Sequence, residues 1–216
     1  MLFRSDLDPA KVVTIYNGVD LDRFHPEPDA GARIAIRRRT GVVDETPVVV
    51  FAGNGFARKG LEFLIRAWPL LKTAAAVVVV GEDRAMLRFR RLSHRLGVAG
   101  RVMFAGRRRD LAEIFAAADL FALPSLFEPF GNVVMEAMAS GLPPLTSVMA
   151  GASELIPEPM RRFIVNDPAN PAEIAEKLSE LIERRTEFRG AARAAAESCT
   201  WDAYGRRFVD LIELLR

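Results

Sequence analysis

The chain has 216 residues, of which half are hydrophobic and 27% are charged. This apolar content excludes an intrinsically disordered protein, because disordered chains bury too little apolar surface to offset their ordering entropy. Thirty Lys and Arg residues against 28 Asp and Glu residues leave a net charge of +2, which argues against a dedicated nucleic-acid-binding protein.

Cysteine and histidine are scarce. Cys199 is the single cysteine, and His25 and His94 share no spacing typical of metal ligands. The sequence therefore predicts no disulfide within the chain and no multi-thiolate zinc site, and it argues against an enzyme built on a histidine cluster. The apolar runs are shorter than the ~20 residues that span a bilayer. Residues 1–6 do not resemble a signal peptide, so a cytoplasmic location is expected.

Short apolar runs alternate with longer segments whose apolar residues recur every three or four positions. The first pattern predicts strands and the second predicts helices. In chain order, strands are expected at 12–16 (followed by a turn at Asn17-Gly18), 48–52, 76–80, 101–105, 120–123, 144–147 and 163–165. Helices are expected at 29–40 (ended by Gly41), 61–71, 84–96, 111–117, 131–140, 171–184, 187–199 and 203–215.

This alternation predicts an α/β fold with a Rossmann-like parallel sheet covered by helices on both faces. We expect one domain over residues 1–216, whose last helix, within 200–216, forms a tail. Ligands of such sheets bind beyond the carboxyl ends of the strands. The loops that follow the strands are therefore the candidate sites.

The first candidate is the loop 53–60, which follows the strand at 48–52. Gly55 and its neighbouring glycines let the backbone approach a ligand closely. Arg58 and Lys59 are suited to a pyrophosphate, because they offer a bidentate guanidinium and a point charge. The glycine spacing matches neither a Walker A loop nor a dinucleotide fingerprint. An ordinary strand-to-helix turn with solvated basic residues explains the pattern equally well.

The second candidate, residues 125–141, follows the strand at 120–123 and opens a helix. Glu136 can accept hydrogen bonds from two ribose hydroxyls, and Glu128 precedes the helix. The alternative is that both acids complement the helix dipole, which explains Glu136 poorly because its neighbours are apolar. The N–H groups at the helix start can receive phosphate oxygens; they belong to Phe130, Gly131, Asn132 and Val133.

Two further loops and the arginine content complete the pattern. Arg107 follows the strand at 101–105, where backbone groups can bind a base edge, and Gly151 and Glu154 lie in a loop after 144–147. Arginine makes up 26 of the 30 basic residues. Solvated helix faces explain most of them, whereas a surface for anionic lipid headgroups or phosphorylated glycans is the alternative.

Together these residues resemble the C-terminal domain of retaining GT-B glycosyltransferases of the group 1, family 4 type. The matching segments are Tyr-Asn-Gly-Val-Asp at 16–20, the loop 53–60 and the E-x7-E pattern from Glu128 to Glu136. Arg58 directly before Lys59 resembles the lipopolysaccharide-core branch of the family. The chain departs from the family at 157–162, where a glycine-rich stretch is usual.

The resemblance implies a site for a UDP- or GDP-linked sugar that works without a metal or other cofactor. It assigns the pyrophosphate to Arg58 and Lys59, the ribose to Glu136 and the transferred sugar to Glu128. Residues 130–133 would bind phosphate and sugar. The strand exit near Arg107 would hold the base.

The resemblance also implies a transferase of cell-envelope polysaccharide or lipopolysaccharide synthesis, with a glycan or lipid acceptor and possible contact with the inner face of the plasma membrane. Residues 1–28 match the start of the domain and the interdomain region. The acceptor-binding domain is expected to be absent and the chain alone to be inactive. The alternatives are a non-catalytic nucleotide-sugar binding module, or a related phosphorylase or epimerase; no nucleic-acid partner is expected.

Overall fold

The computed structural model describes residues 12–26, 30–39 and 46–214. Its strands are β1 (Val48–Ala52), β2 (Ala76–Val80), β3 (Val102–Gly106), β4 (Leu120–Leu123) and β5 (Pro144–Thr146). Its α-helices are α1 (Ala30–Arg39), α2 (Leu61–Ala67), α3 (Met86–Arg95), α4 (Leu111–Ala117), α5 (Asn132–Ala139), α6 (Glu158–Arg161), α7 (Pro171–Glu183), α8 (Arg185–Glu197) and α9 (Trp201–Leu214). Short 3-10 helices lie at Trp68–Leu70, Ala99–Arg101 and Gly151–Leu155.

The described strands form one parallel sheet in the order β3-β2-β1-β4-β5. Every residue of β1, β2 and β4 is buried. Continuous apolar runs thus form the centre of the sheet, as expected of strands covered on both faces. Helix α2 packs against α3 and α7, whereas α1 packs against α4 and α5 against α8. The predicted α/β, Rossmann-like fold is confirmed.

The strand order reverses between β1 and β4. From β1 the chain proceeds through β2 to β3 at one edge, and then returns through α4 to the other side of β1. There β4 pairs with β1, with Leu120 opposite Val49. In parallel sheets the loops diverge at such a reversal and open a crevice at the carboxyl ends of the strands. The loops after β1 and β4, which are the two main candidate sites, therefore lie side by side.

A buried acid anchors α1 to the other end of these strands. Asp119 accepts hydrogen bonds from the backbone N–H of Val48 at 2.8 Å and from Arg33 and Arg37 at 2.6 and 3.2 Å. A buried carboxylate needs such partners, because burial without them is costly.

The predicted first strand at 12–16 is wrong. Residues 12–18 form no strand and no turn, and directly after them Val19 forms an isolated bridge with Thr200. A side chain at Gly18 would lie 2.4 Å from the backbone nitrogen of Trp201. The glycine therefore permits a close approach to α9 and does not serve the predicted turn.

The prediction of a strand at 163–165 is also wrong, since only one bridge, between Ser147 and Val165, forms there. The helix predicted at 61–71 ends at Ala67 and continues as a 3-10 turn that contains Pro69. Other predicted helix ends move by one or two residues, as in α8 and α9, which begin at Arg185 and Trp201. The helix ends predicted at Asp29, Thr40, Gly41 and Leu215 lie outside the described residues.

Helix α9 has no buried residue, and Phe208 and Ile212 are exposed on it. None of the helices in the described ranges has the length and apolar content that a bilayer crossing requires.

Candidate functional site

The loop after β1 approaches its neighbours closely at two glycines. Gly53 and Gly60 have φ angles of 134° and 78°. A side chain at Gly53 would lie 2.5 Å from the Lys59 side chain, and one at Gly60 would lie 1.9 Å from the Pro124 carbonyl oxygen. Glycine therefore lets Lys59 fold back over its own loop and lets this loop contact the one after β4.

Three of the predicted residues meet where these loops touch. The Lys59 ammonium lies 2.6 Å from a Glu128 carboxylate oxygen, and an Arg58 guanidinium nitrogen lies 3.2 Å from the same oxygen. Arg58 also donates to the Phe127 carbonyl at 2.6 Å. The Lys59 and Glu128 side chains are only 9% and 11% exposed. The structure thus brings the predicted catalytic residues into one Glu128 cluster (Arg58, Lys59 and Glu128).

The backbone of Glu128 is held on both sides. Its N–H donates to the Met149 carbonyl at 3.0 Å, and its carbonyl accepts from the Gly151 N–H at 3.1 Å. A side chain at Gly151 would lie 2.4 Å from the Pro129 carbonyl oxygen, so the glycine permits this pairing. The loop after β5 therefore fixes the position of the acid between the two cations and α5.

The N-terminus of α5 has no side-chain cap. Gly131 takes the N-cap position with a φ of 94°. Within the described ranges, the N–H groups of residues 130–133 have no intramolecular acceptor. Phe130 stacks on Tyr16 at a centroid distance of 5.9 Å, and the Asn132 side-chain oxygen accepts from Asn17 at 2.9 Å. Free N–H groups and the positive end of the helix dipole make this turn suited to an anion.

Glu136 follows in the second turn of α5 and is partly buried. Its carboxylate has no hydrogen-bond or ion-pair partner in the part of the chain that the structure describes. Burial raises the pKa of the Glu136 carboxyl above its usual value, and the positive charges of Arg23 and Lys59 partly offset this. Removing a carboxylate from water without a partner costs free energy, so packing alone does not explain the residue.

Of the two remaining predicted residues, Gly55 adjoins the cluster through its backbone and Arg107 lies apart from it. Gly55 is exposed, and the space around it is open. Arg107 follows β3, two strands from β1 in the sheet, and its side chain is exposed. The Gly55 carbonyl accepts from the Lys59 N–H at 3.1 Å. Among the described residues, no contact joins Arg107 to the Glu128 cluster.

The structure adds Tyr16 and Asp83, which the sequence analysis did not assign to the site. The Tyr16 hydroxyl donates to the Glu154 carboxylate, and this hydrogen bond raises the pKa of Tyr16 because a phenolate would lose it. Asp83 accepts from the backbone N–H groups of Phe56 and Ala85, both at 2.7 Å, and so ties the loop after β1 to the loop after β2. The motif at 16–20 contains Tyr16 and could have indicated it as a site residue. For Asp83, the sequence offers only a weak signal, namely an acid two residues after Gly81.

A cleft of about 510 Å³ opens beside Glu128, and exposed Phe127, Val148 and Met149 lie along it. Its polar groups include the carboxylates of Glu128 and Glu154. In the described ranges, no group of three or more His, Cys, Asp or Glu residues is arranged to hold a metal ion.

The sequence profile described as "Glycosyl transferases group 1" matches residues 32–198. The chain belongs to the group 1 glycosyl transferases. This confirms the resemblance that the motifs at 53–60 and 128–136 carry. The matched region contains every predicted site residue.

Curated relatives with similar sequences are also glycosyltransferases by name. The chain is 34% identical to a D-inositol 3-phosphate glycosyltransferase of Xylanimonas cellulosilytica, over 97% of this chain and 52% of the relative. It is 28% identical to the lipopolysaccharide glucosyltransferase WaaG of Escherichia coli, over 81% of this chain and 48% of the relative. The chain thus spans about half the length of the curated relatives it matches.

A solved structure of Anabaena HepE in complex with UDP-glucose superposes with a TM-score of 0.80. The alignment has 27% identity and covers 92% of this chain and 56% of HepE. The crystal structure of WaaG superposes with a TM-score of 0.78 at 26% identity, over 97% of this chain and 58% of WaaG. The fold described above is therefore that of part of the GT-B glycosyltransferase structures.

Proposed function

We propose that this chain is the donor-binding domain of a retaining glycosyltransferase that uses a UDP- or GDP-linked sugar. The observation that carries the proposal is the convergence of Arg58, Lys59 and Glu128 beside the uncapped N-terminus of α5. A diphosphate at this position meets two cations and four free N–H groups. Such fixed positive groups stabilise the charge that develops on a departing nucleoside diphosphate.

The other predicted residues bind the ribose, the transferred sugar and the base of the donor. Glu136 accepts hydrogen bonds from the ribose hydroxyls, which gives its carboxylate the partners that it lacks within the described chain. Glu128 contacts the transferred sugar while it orients the two cations. Gly55 and residues 130–133 bring the backbone close to the phosphates, and Arg107 lies toward the base. The complex of HepE with UDP-glucose supports a nucleotide sugar as the donor.

We further propose that transfer needs no metal or other cofactor, because Arg58, Lys59 and the α5 N-terminus supply the positive charge. Relatives named for inositol phosphate and lipopolysaccharide support a glycan or lipid acceptor in cell-envelope polysaccharide or lipopolysaccharide synthesis. An enzyme with such an acceptor would act in the cytoplasm at the inner face of the plasma membrane. The chain spans about half of its relatives, so we expect it alone to bind donor without turnover.

Titration calorimetry of the chain with UDP and GDP, in the presence of a metal chelator, tests the proposal. We expect one of the two nucleotides to bind. Glu136→Gln should weaken that binding roughly 10–100-fold, because a charged acceptor of two hydrogen bonds is lost. Glu176→Gln is the matched control, since it makes the same change at an exposed residue of α7.

Failure of a folded sample to bind either nucleotide would contradict the donor site. Equal weakening by the two Gln variants would show that Glu136 does not hold the ribose. Binding that appears only when a divalent cation is restored would contradict the metal-free proposal.

A further inference from the structure

Helix α3 carries a concentrated positive charge. Residues 84–95 contain five arginines and His94 but no acidic residue, although the whole chain has a net charge of only +2. The helix buries Phe89 and Leu92 against the core. The basic side chains of the helix therefore lie on its outer face; they are Arg88, Arg90, Arg91, His94 and Arg95. They are all exposed, as is Arg84 in the turn before the helix.

Interactions within the chain account for only some of these arginines. Arg88 pairs with Glu62 on α2, and Arg90 lies over the Phe104 ring at 4.8 Å. The helix dipole favours a cation in the last turn, which accounts for Arg95. It does not account for Arg91 in the middle of the helix, and neither Arg91 nor Arg95 has an ion-pair or hydrogen-bond partner among the described residues.

The outer face combines this charge with an open cleft and an apolar residue. A cleft of about 570 Å³ is lined by Arg88, Arg91, His94 and Arg95. Leu87, one turn before Arg91, is 67% exposed. A basic helix face with an apolar residue at the surface suits a membrane interface, where lipid phosphates meet the cations and the apolar side chain enters between the headgroups.

A nucleic-acid surface fits less well. Binding of single strands relies on aromatic side chains on which bases stack. The one aromatic residue of α3, Phe89, is 1% exposed and therefore cannot serve as such a platform.

We propose that the outer face of α3 docks on an anionic phospholipid membrane. Each basic side chain of this face adds to the attraction, because the negative surface potential of the headgroups acts on its charge. Helix α3 leaves the carboxyl end of β2 and returns to the start of β3, which is parallel to β2. Its last turn therefore lies at the end of the sheet opposite to the Glu128 cluster, and membrane docking leaves the loops after β1 and β4 accessible.

Flotation of the chain with phosphatidylcholine vesicles, with and without phosphatidylglycerol, tests the proposal. We expect binding only to the anionic vesicles, with release as added salt shortens the screening length. Replacing both Arg91 and Arg95 by Gln should weaken partitioning roughly 10–30-fold. Replacing Arg206 and Arg207 by Gln, the same charge change on the exposed α9, should leave it nearly unchanged.

The Lys versions of Arg91 and Arg95 provide a second comparison that does not depend on how the Gln variant folds. A membrane field acts on charge, so the double Lys variant should retain vesicle binding. Its loss in that variant would indicate a specific phosphate site and overturn the proposal. Equal binding to neutral vesicles, equal loss in the α9 control, or tighter binding to an oligonucleotide at the same salt concentration would overturn it as well.

Discussion

Glu128 and Glu136 flank the first turn of α5, yet their surroundings differ sharply. Glu128 is nearly buried, faces two cations and is held through its backbone N–H and carbonyl. Glu136 is partly buried and has no partner among the described residues. The first acid is satisfied by the fold, whereas the second keeps its hydrogen-bonding capacity at a cost in stability. Such unsatisfied groups mark the positions at which a ligand completes a site.

The largest change in the free energy of unfolding is expected when Glu128, the acid with hydrogen-bond and ion-pair partners, is removed. Glu128→Ala leaves the nearly buried Lys59 ammonium without its partner, so the free energy of unfolding should fall by about 3 kcal/mol. Urea denaturation measures this change. A double variant with Met at Lys59 and Leu at Glu128 should recover most of the loss. A loss in Glu128→Ala no larger than that of a surface substitution would mean that water already screens the pair.

Removal of the charge of Glu136 is expected to raise the free energy of unfolding. Burial raises the folded-state pKa of Glu136 above 4.5, so its ionisation destabilises the fold as pH rises through and beyond that value. Glu136→Gln should therefore raise the free energy of unfolding at pH 8, by less than Glu128→Ala lowers it, and the gain should shrink toward pH 4.5. Denaturation at several pH values checks this. The same curve for Glu176→Gln should be flat relative to wild type, and a pH-independent gain would refute the ionisation argument.

A smaller change in the free energy of unfolding is expected for substitutions of Tyr16, which contacts Phe130 next to α5. Tyr16→Phe keeps the ring stacked on Phe130 but removes the exposed hydrogen bond to Glu154, so it should cost about 0.5 kcal/mol. Tyr16→Ala also removes the stacking and should cost more. If the two variants are equally stable, the ring contributes nothing to the position of the α5 N-terminus.

The sequence predicts the sheet well where burial leaves a clear local pattern. The runs at 48–52 and 76–80 are apolar throughout because both faces of the sheet are covered. Residues 12–16 have equally strand-like side chains but no strand to pair with, and Tyr16 instead contacts Phe130 and Glu154. Strand formation there depends on a distant partner, which local composition does not reveal.

In the site, too, some features follow from the local sequence pattern and others depend on distant partners. That the loops after β1 and β4 adjoin follows from the order of parallel strands, so the approach of Arg58 and Lys59 to the segment of Glu128 was predictable. The sequence does not predict that Arg58 and Lys59 contact the same oxygen of Glu128. It also does not predict the hydrogen bond between Tyr16 and Glu154, which are 138 residues apart. Side-chain pairings over such distances depend on packing that a single sequence does not record.

The missing side chain at Gly60 has a mechanical consequence. The loops after β1 and β4 touch so closely there that any larger residue would wedge them apart. The two loops must therefore shift together or not at all, and the separation of Lys59 from Glu128 is set during folding. A ligand that binds beside this contact finds its contacts preorganised, and little further conformational entropy is lost when it binds.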